Sequence, residues 1–194
     1  MRIPTLRACA IYILLCLAVP ASVAYAGQKE DFQAMIRMWT QQAENGNDWA
    51  QMNLGVAYQK GYYVERNYKE AARWNKLAAE QGNGHAQANL GVMYRKGQGV
   101  EKDHRKALKW FRLSARKGIP WGQYHLGRMY RNGQGVKRDD HMAFHWVHLA
   151  VSSGLKEGVK LRDEIAGELG ASEQEQVRTE AAACKISKFK NCRG

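Results

Sequence analysis

Apolar side chains recur at steps of three and four residues through the middle of this chain, as they do along one face of an amphipathic helix. In one such stretch the apolar positions are Ala86, Leu90, Met93 and Tyr94. Gly97 follows them, and glycine is the residue that most often ends a helix in the left-handed conformation. The 19 glycines of the chain fit helices only if they recur at helix ends. The pattern therefore predicts an all-α chain of helices punctuated by glycine.

The chain also repeats itself at a spacing of 36 residues. Residues 48–83, 84–119 and 120–155 align without gaps, and each segment has room for two helices joined by a turn. The recurring residues are Leu54-Gly55, Leu90-Gly91 and Leu126-Gly127; Tyr58, Tyr94 and Tyr130; Ala71, Ala107 and Ala143; Trp74, Trp110 and Trp146; Gly82, Gly118 and Gly154.

Polar residues mark the start of the second helix in each unit. Asn67, Asp103 and Asp139 are side chains that cap the free amides of a helix N-terminus. In the first unit, Glu70 is placed to complete a capping box with Asn67. The glycine that follows each recurring leucine lies inside a helix, where it costs about 1 kcal/mol relative to alanine. Its recurrence predicts that neighbouring helices approach closely there.

The flanks continue the pattern in part. Residues 27–47 are predicted to form an N-terminal capping helix, with its helical stretch over 30–45 and its end at Gly46. Residues 156–194 are predicted to form C-terminal capping helices and a basic tail. Gly158 continues the repeat phase into a final first helix, and Ser172 is predicted to cap a closing helix over 172–187. Such half-units cover the exposed ends of a helical stack.

The motif Leu-Gly-x-x-Tyr-x-x-Gly-x-Gly-Val, followed by Asp, Ala-x-x-Trp and a closing Gly, resembles the Sel1-like repeat, a relative of the tetratricopeptide repeats. The resemblance covers residues 48–155 fully and the flanks in part. It implies a right-handed superhelical solenoid of helix-turn-helix repeats, whose members act as adaptors that hold partners on a concave face. Tyr63 departs from the motif because the other units have Gly99 and Gly135 there. We therefore expect a different loop shape in the first unit.

The same resemblance indicates which side of the first helices faces a partner. That concave wall lies opposite the positions expected in the core, such as Leu54 and Ala57. Tyrosine and arginine are frequent binding anchors, and two arginines one turn apart can hold a carboxylate or phosphate. The alternative is that these are ordinary solvated side chains. The wall comprises Met52, Val56 and Gln59, then Ala88, Val92 and Arg95, then Tyr124, Arg128 and Arg131, with Trp49, His85 and Trp121 at its rim.

The first 26 residues are predicted to be a cleaved signal peptide. Arg2 and Arg7 precede an apolar run over 8–19, and Ala24-Tyr25-Ala26 is a small-x-small cleavage pattern that ends at Ala26. The apolar run would cover about 18 Å as a helix, against roughly 30 Å for a bilayer core. A retained membrane span is therefore the weaker alternative. A lipid anchor on Cys16 is weaker still, because the preceding Leu14 and Leu15 are not small. The mature protein is expected to be periplasmic or secreted, without a transmembrane segment.

Export affects the interpretation of the cysteines. Cys9 and Cys16 leave with the signal peptide, so Cys184 and Cys192 remain. An oxidising compartment favours a disulfide between them, which would hold the C-terminal tail, and two free thiols are the alternative.

Charge is unevenly distributed along the chain. The formal net charge is +12, and residues 84–155 contain 13 basic and 4 acidic residues. A positive surface steers acidic partners toward the protein, while the alternative is a solvated face that confers solubility. Nucleic acid is not expected as the partner, because the chain carries an export signal and no recognition motif.

No catalytic or cofactor site is predicted. His141, His145 and His148 share one face of a helix, but they align with Lys and Arg in the other units, which predicts an exposed face and no metal. Ser114-Ala115-Arg116-Lys117 matches Ser-x-x-Lys, yet the Ser-Asp-Asn and Lys-Thr-Gly motifs of β-lactamases do not occur. The segment Gly97-Gln98-Gly99 joins two helices and follows no strand, so it is not a phosphate loop.

The sequence thus favours a non-enzymatic binding protein that holds one protein partner, expected to be acidic, in a basic and aromatic groove. Two roles fit the family resemblance. One is an adaptor that regulates envelope machinery, and the other is an immunity protein that neutralises a toxin delivered to the periplasm, such as a lipase. The alternative is a protein that binds an anionic envelope polymer or lipid through its basic surface.

Overall fold

Helices joined by short turns make up the part of the chain that the computed structural model describes, residues 21–189 and 192, and no strand occurs among those residues. The chain consists of two units, residues 1–38 and 39–194. Residues 1–20 lie outside the described residues, so the signal peptide stays a prediction. Within residues 21–189, no helix has both the length and the apolar character that crossing a bilayer requires.

The helices follow the predicted repeat. Helix α1 begins at Ala21, well before the predicted start at residue 30, and ends at Glu44. A 3₁₀ turn, Lys156–Gly158, precedes the two C-terminal helices. The repeats and the C-terminal helices comprise α2 (Asp48–Lys60) and α3 (Tyr68–Glu80), α4 (Gly84–Lys96) and α5 (His104–Arg116), α6 (Pro120–Asn132) and α7 (Asp140–Ser152), and then α8 (Val159–Ala166) and α9 (Ala171–Ile186).

Residues 39–194 are built by stacking these helices in order. The two helices of each repeat pack against each other, and each second helix packs against the first helix of the next repeat. The first helices also contact one another, α2 with α4 and α4 with α6, while α8 and α9 both pack on α7. The recurring leucines Leu54, Leu90 and Leu126 lie in the core. The predicted all-α solenoid is confirmed.

The glycines inside the first helices permit close helix packing, as predicted. A β-carbon at Gly91 would lie 2.6 Å from Cε1 of Phe111, and a β-carbon at Gly127 would lie 2.5 Å from Cγ2 of Val147. Both distances are well below an ordinary van der Waals contact. Only glycine therefore allows the second helix to come this close.

The predicted caps of the second helices are confirmed. The Asp103 carboxylate accepts a hydrogen bond from the Lys106 amide at 2.9 Å, and Asn67 and Asp139 cap α3 and α7 in the same way. The predicted cap of the closing helix is wrong, because α9 begins after Gly170 and Ser172 lies inside its first turn.

The capping box predicted for the first unit is also wrong. The Asn67 amide donates to the Tyr58 carbonyl at 2.9 Å, so it does not need the Glu70 side chain. The Glu70 carboxylate accepts a hydrogen bond from Nε of Arg73 at 3.0 Å instead.

A glutamine joins each repeat to the helix before it. Its side-chain amide donates to a carbonyl eight residues earlier, near the end of the preceding second helix. Each of these carbonyls also accepts a hydrogen bond from the backbone of the turn that follows its helix, so the glutamine adds a second bond and links two successive helices. The pairs are Gln51 with Ala43 at 3.0 Å, Gln87 with Ala79 at 3.1 Å and Gln123 with Ala115 at 3.4 Å.

The histidine face of α7 differs from its prediction. His145 is only 1% exposed, although the equivalent basic residues of the other repeats predicted a solvated position. The reason is that α9 packs on α7 and takes the place of solvent. The His145 ring lies edge-on to Trp146, with 5.2 Å between the ring centres. Within the described residues, no group of three histidine, cysteine or acidic side chains is arranged to hold a metal ion.

Candidate partner-binding site

The first helices of all three repeats contribute to one open cavity of about 260 Å³. We call it the groove. None of its lining residues is acidic, and Lys60 and Lys96 give it positive charge. The groove is lined by Gln59 and Lys60 from α2, by Ala88, Asn89, Val92 and Lys96 from α4, and by Trp121 and His125 from α6.

Three aromatic rings lie together on α6. The centre of the Trp121 ring is 5.8 Å from that of Tyr124 and 5.8 Å from that of His125, while Tyr124 and His125 are 5.3 Å apart. Their spacing along α6 places the three side chains on adjoining turns of one helix face. Trp121 is nonetheless 43% exposed. It therefore offers a large, oriented apolar surface at the edge of the groove.

Positive charge surrounds His125. Burial, followed by the charges of Arg95, Arg128 and Lys96, lowers the pKa of His125 to about 3. The ring is therefore neutral at physiological pH, and its Nδ1 is buried without a hydrogen-bond partner among the described residues. Burial and the nearby charge of Arg128 also lower the pKa of Arg95. These residues thus form a basic cluster, which we define as Arg95, Lys96 and Arg128 around His125.

Buried residues of the preceding second helix support the groove lining. Asn89 donates a hydrogen bond to the Asn75 side-chain oxygen at 3.2 Å, and Asn75 is fully buried. At the equivalent positions one repeat later, His125 packs on the buried ring of Phe111, with 5.0 Å between the ring centres. Sequence reasoning missed both pairs. Their signal was present, because the polar pair and the aromatic pair occupy the same two positions of consecutive repeats.

The first repeat contributes less to the site than its sequence suggested. Met52 is 8% exposed and packs in the core against Ala78 and Leu90, so it does not form an open wall. Ala88 is also buried, although it borders the groove, and Val56 is half-buried against the same core cluster. The reason is that α2 packs directly on α4, which covers this side of the helix.

The two tryptophans at the predicted rim are in different surroundings. Trp121 lines the groove, whereas Trp49 is 60% exposed and is not among the groove-lining residues. His85, the equivalent residue of the second repeat, is exposed and is not among them either.

Arg131 was expected to act together with Arg128, but it is engaged within the chain. Its Nη1 lies 2.8 Å from the Asp140 carboxylate and 2.9 Å from that of Glu168, and its Nη2 also pairs with Glu168. Arg138 binds the same two carboxylates. The pKa of Arg131 is raised, first by the hydrogen bond to Glu168 and then by that to Asp140. Arg131 therefore ties α6 to the segment after α8, and we leave it out of the site.

The C-terminal segment folds back onto the stack. Cys184 and Cys192 are joined by a disulfide, with their Cα atoms 5.0 Å apart. Cys184 is buried in the core cluster of the third repeat, and Phe189 packs against the same cluster and next to Gly118. The ammonium of Lys185 donates to the Ser152 carbonyl at 3.1 Å. These contacts fix the end of α9 over the end of α7.

Three comparisons place this chain among known proteins. A family model described as the Sel1 repeat matches residues 50–83, 84–119 and 122–155. A search of curated proteins finds no match. Among solved structures, the chain is similar to a protective antigen with an SLR fold that is present in uropathogenic Escherichia coli strains, at 34% identity and a TM-score of 0.73. That match covers 79% of this chain but only 33% of the antigen, so this chain spans about a third of its length.

Two further structures are similar. A Sel1 repeat protein from Oxalobacter formigenes is 38% identical with a TM-score of 0.59, over 66% of this chain and 96% of that one. Cysteine rich protein B of Helicobacter pylori shares the fold, at 20% identity and a TM-score of 0.54, over 69% of this chain and 96% of that one. The repeat motif, the stacked helix pairs and these matches agree, and the chain belongs to the Sel1 repeat family.

Proposed function

We propose that this chain is a non-catalytic protein-binding module that holds an acidic segment of one protein partner in the groove. Sel1 repeat proteins are commonly protein–protein interaction modules and are generally non-catalytic scaffolds. The observation that carries the proposal is the convergence of the first helices of three successive repeats on one cavity with no acidic lining residue.

The groove offers both parts of a typical protein interface. Trp121 supplies exposed aromatic surface, and large aromatic side chains account for much of the binding energy at interfaces. Lys60 and Lys96 supply charge that attracts a partner of opposite sign and disfavours basic ones. An acidic segment that carries at least one large apolar side chain matches this combination.

The predicted export signal supports a partner in the periplasm or outside the cell. An adaptor that regulates envelope machinery and an immunity protein that neutralises a delivered toxin, such as a lipase, both need such a groove. They differ in affinity, because an immunity protein must bind its toxin very tightly, whereas an adaptor works with weaker and more varied contacts. The identity of a captured protein would decide between the two roles.

A second function is favoured by the charge distribution. Residues 84–155 contain 13 basic and 4 acidic residues, which is enough to attract an anionic envelope polymer or lipid without a shaped site. Binding of that kind is strongly weakened by salt and is insensitive to the loss of one aromatic side chain.

Capture with a matched pair of variants tests the proposal. The exported protein is immobilised, exposed to the periplasmic extract of its native host at about 0.15 M salt, and compared with its Trp121→Ala and Trp49→Ala variants. Both replacements remove a partly exposed tryptophan from the same position of a repeat, but only Trp121 lines the groove. We expect one stoichiometric protein to be retained by the wild type and by Trp49→Ala, and to be lost with Trp121→Ala.

Two results would contradict the proposal. Equal capture by Trp121→Ala would show that the partner does not use the groove. Retention of only salt-labile glycan, lipid or mixed acidic material would favour binding through surface charge. Circular dichroism spectra and melting temperatures of the three proteins, which should be nearly the same, control for folding.

A further inference from the structure

We infer that the basic cluster contains a carboxylate-binding site between the guanidinium groups of Arg95 on α4 and Arg128 on α6. The site would hold an aspartate or glutamate side chain of the bound segment, beside the groove. This inference rests on the proposed function and names the group that is recognised.

Arg95 and Arg128 lack the partners that neighbouring arginines have. Among the described side chains of residues 31–189, neither forms an ion pair with a carboxylate, and Nε of Arg95 is buried without a hydrogen-bond partner. By contrast, Arg131, one turn further along α6, is paired with two carboxylates of its own chain. The same helix therefore presents one arginine that the fold has neutralised and one that it has left unpaired.

Arg95 and Arg128 follow groove-lining residues on two helices that contact each other. Arg95 lies one turn after Val92 on α4, and Arg128 lies one turn after His125 on α6. Their charges disfavour one another, because the pKa of Arg95 is lowered first by burial and then by the charge of Arg128. Burial, and then both arginines, lower that of His125. His125 remains neutral, so it adds no charge to the cluster. A half-buried pair of like charges is costly unless an opposite charge joins it. An anion bound between the two guanidinium groups supplies that charge and accepts charge-assisted hydrogen bonds from both.

Tyr124 gives the site a fixed wall. The Arg128 guanidinium lies 5.7 Å from the centre of the Tyr124 ring, close enough for a cation–π contact that restrains its orientation. Tyr124 also raises the pKa of Arg95, against the larger lowering by burial and by Arg128. Tyr124 stands edge-on to Trp121, at the border of the groove. A carboxylate between the arginines thus lies next to the surface that accepts an apolar side chain.

The geometry therefore points to an acidic residue adjacent in the partner to a large apolar one. The His125 ring lines the groove, and the charges of both arginines affect its pKa. A peptide bound at the site changes the surroundings of this ring, so its proton resonances in NMR should shift at pH 7, where the glutamates of a peptide are ionised.

A peptide titration followed by NMR tests the inference on the full exported protein. The probe is a short blocked peptide in which glutamates flank a phenylalanine, and its control is the same peptide with glutamines. Ring proton shifts of His125, assigned with a His125→Gln variant, are recorded at pH 7 with and without peptide, and in the free protein also at decreasing pH. We expect the glutamate peptide to shift the resonances and to bind at least tenfold more tightly than the glutamine peptide.

Three variants that each remove one arginine charge test whether the peptide binds at the proposed site. Arg95→Gln and Arg128→Gln should each weaken the glutamate peptide about tenfold or more, as expected for the loss of a charge-assisted hydrogen bond. Each should also raise the pKa of His125 in the free protein. Arg138→Gln removes the same charge from an exposed arginine that pairs with Asp140 and does not influence His125, so it should change neither quantity.

Two results would overturn the inference. They are equal affinity for the glutamate and glutamine peptides and undiminished binding by Arg128→Gln. These outcomes separate this inference from the proposed function. If partner capture depends on Trp121 but the peptide fails these tests, the groove stands and the carboxylate site does not. If no protein is captured, the proposed function fails first.

Discussion

Replacement of Gly91 by alanine tests whether close helix packing holds the repeats together. The new β-carbon would lie 2.6 Å from Cε1 and 2.7 Å from Cδ1 of Phe111, about 0.8 Å inside the 3.4 Å at which ordinary contact begins. Phe111 is fully buried, in the same core cluster as Leu126 and Trp146, so its ring must displace packed neighbours to move. Overpacking of this kind costs about 1–3 kcal/mol. Alanine recovers about 1 kcal/mol of helix propensity, so we expect a net destabilisation of about 0–2 kcal/mol.

The free energy of unfolding, measured by urea denaturation with circular dichroism, is the assay. A double-mutant cycle with Phe111→Leu isolates the contact, because leucine lacks the ring edge that meets the new methyl group. We expect Gly91→Ala to cost less in the Phe111→Leu background than in the wild type. Gly167→Ala serves as the control, since a β-carbon there meets only ordinary contacts at 3.6 Å. If Gly91→Ala stabilises the protein as much as Gly167→Ala does, the helices are not held at this distance by packing.

Three further predictions concern the ends of the helices and the C-terminal segment. The hydrogen bond to Arg131 lowers the pKa of Glu168, so the ionised carboxylate stabilises the fold above its ordinary pKa of 4.5, and this stabilisation is lost as the pH falls below that value. Replacing Glu168 with glutamine should therefore make the melting temperature fall less steeply in acid. An unchanged decline would contradict the pairing. Asp103→Ala should cost about 1 kcal/mol in urea denaturation, whereas Ser172→Ala should cost almost nothing, because only Asp103 caps a helix. Cys184→Ser should lower the free energy of unfolding by about 2.5 kcal/mol, because the disulfide closes a loop in the unfolded chain. If reductant does not change the melting temperature of the wild-type protein, the disulfide makes no such contribution.

Features that depend on local sequence could be predicted, and the repeat made those predictions strong. Asp103 is a cap because its side chain reaches an amide three residues later, which sequence spacing alone determines. Gly91 was predicted to allow close packing because it recurs in phase with Leu90. Ser172 has the right side chain for a cap, yet α9 begins one residue after Gly170, and sequence-based helix ends are uncertain by a residue or two.

Features that depend on distant residues could not be predicted from the spacing. Arg131 was expected in the site, but Glu168, 37 residues away in the chain, reaches it from the segment after α8. His145 was expected on an exposed face until α9 covered it. The residues that line the groove were predicted only in part. Trp121 was predicted from its position at the rim of the expected concave wall. His125 was missed, because its role depends on the cavity and on the charges of neighbouring helices, which the sequence does not show.

The glutamine bridges between repeats have a consequence for how this protein can change in length. Gln87 binds a carbonyl eight residues before it, and Gln123 makes the same bond 36 residues later, so the junction between repeats is the same structural unit each time. A duplication of one 36-residue unit would bring its own glutamine and its own acceptor, and would insert without leaving the amide nitrogen of a buried glutamine unpaired. The added first helix would also extend the row of helices that lines the groove. Longer chains of this type can thus accommodate longer ligands without redesign of the core.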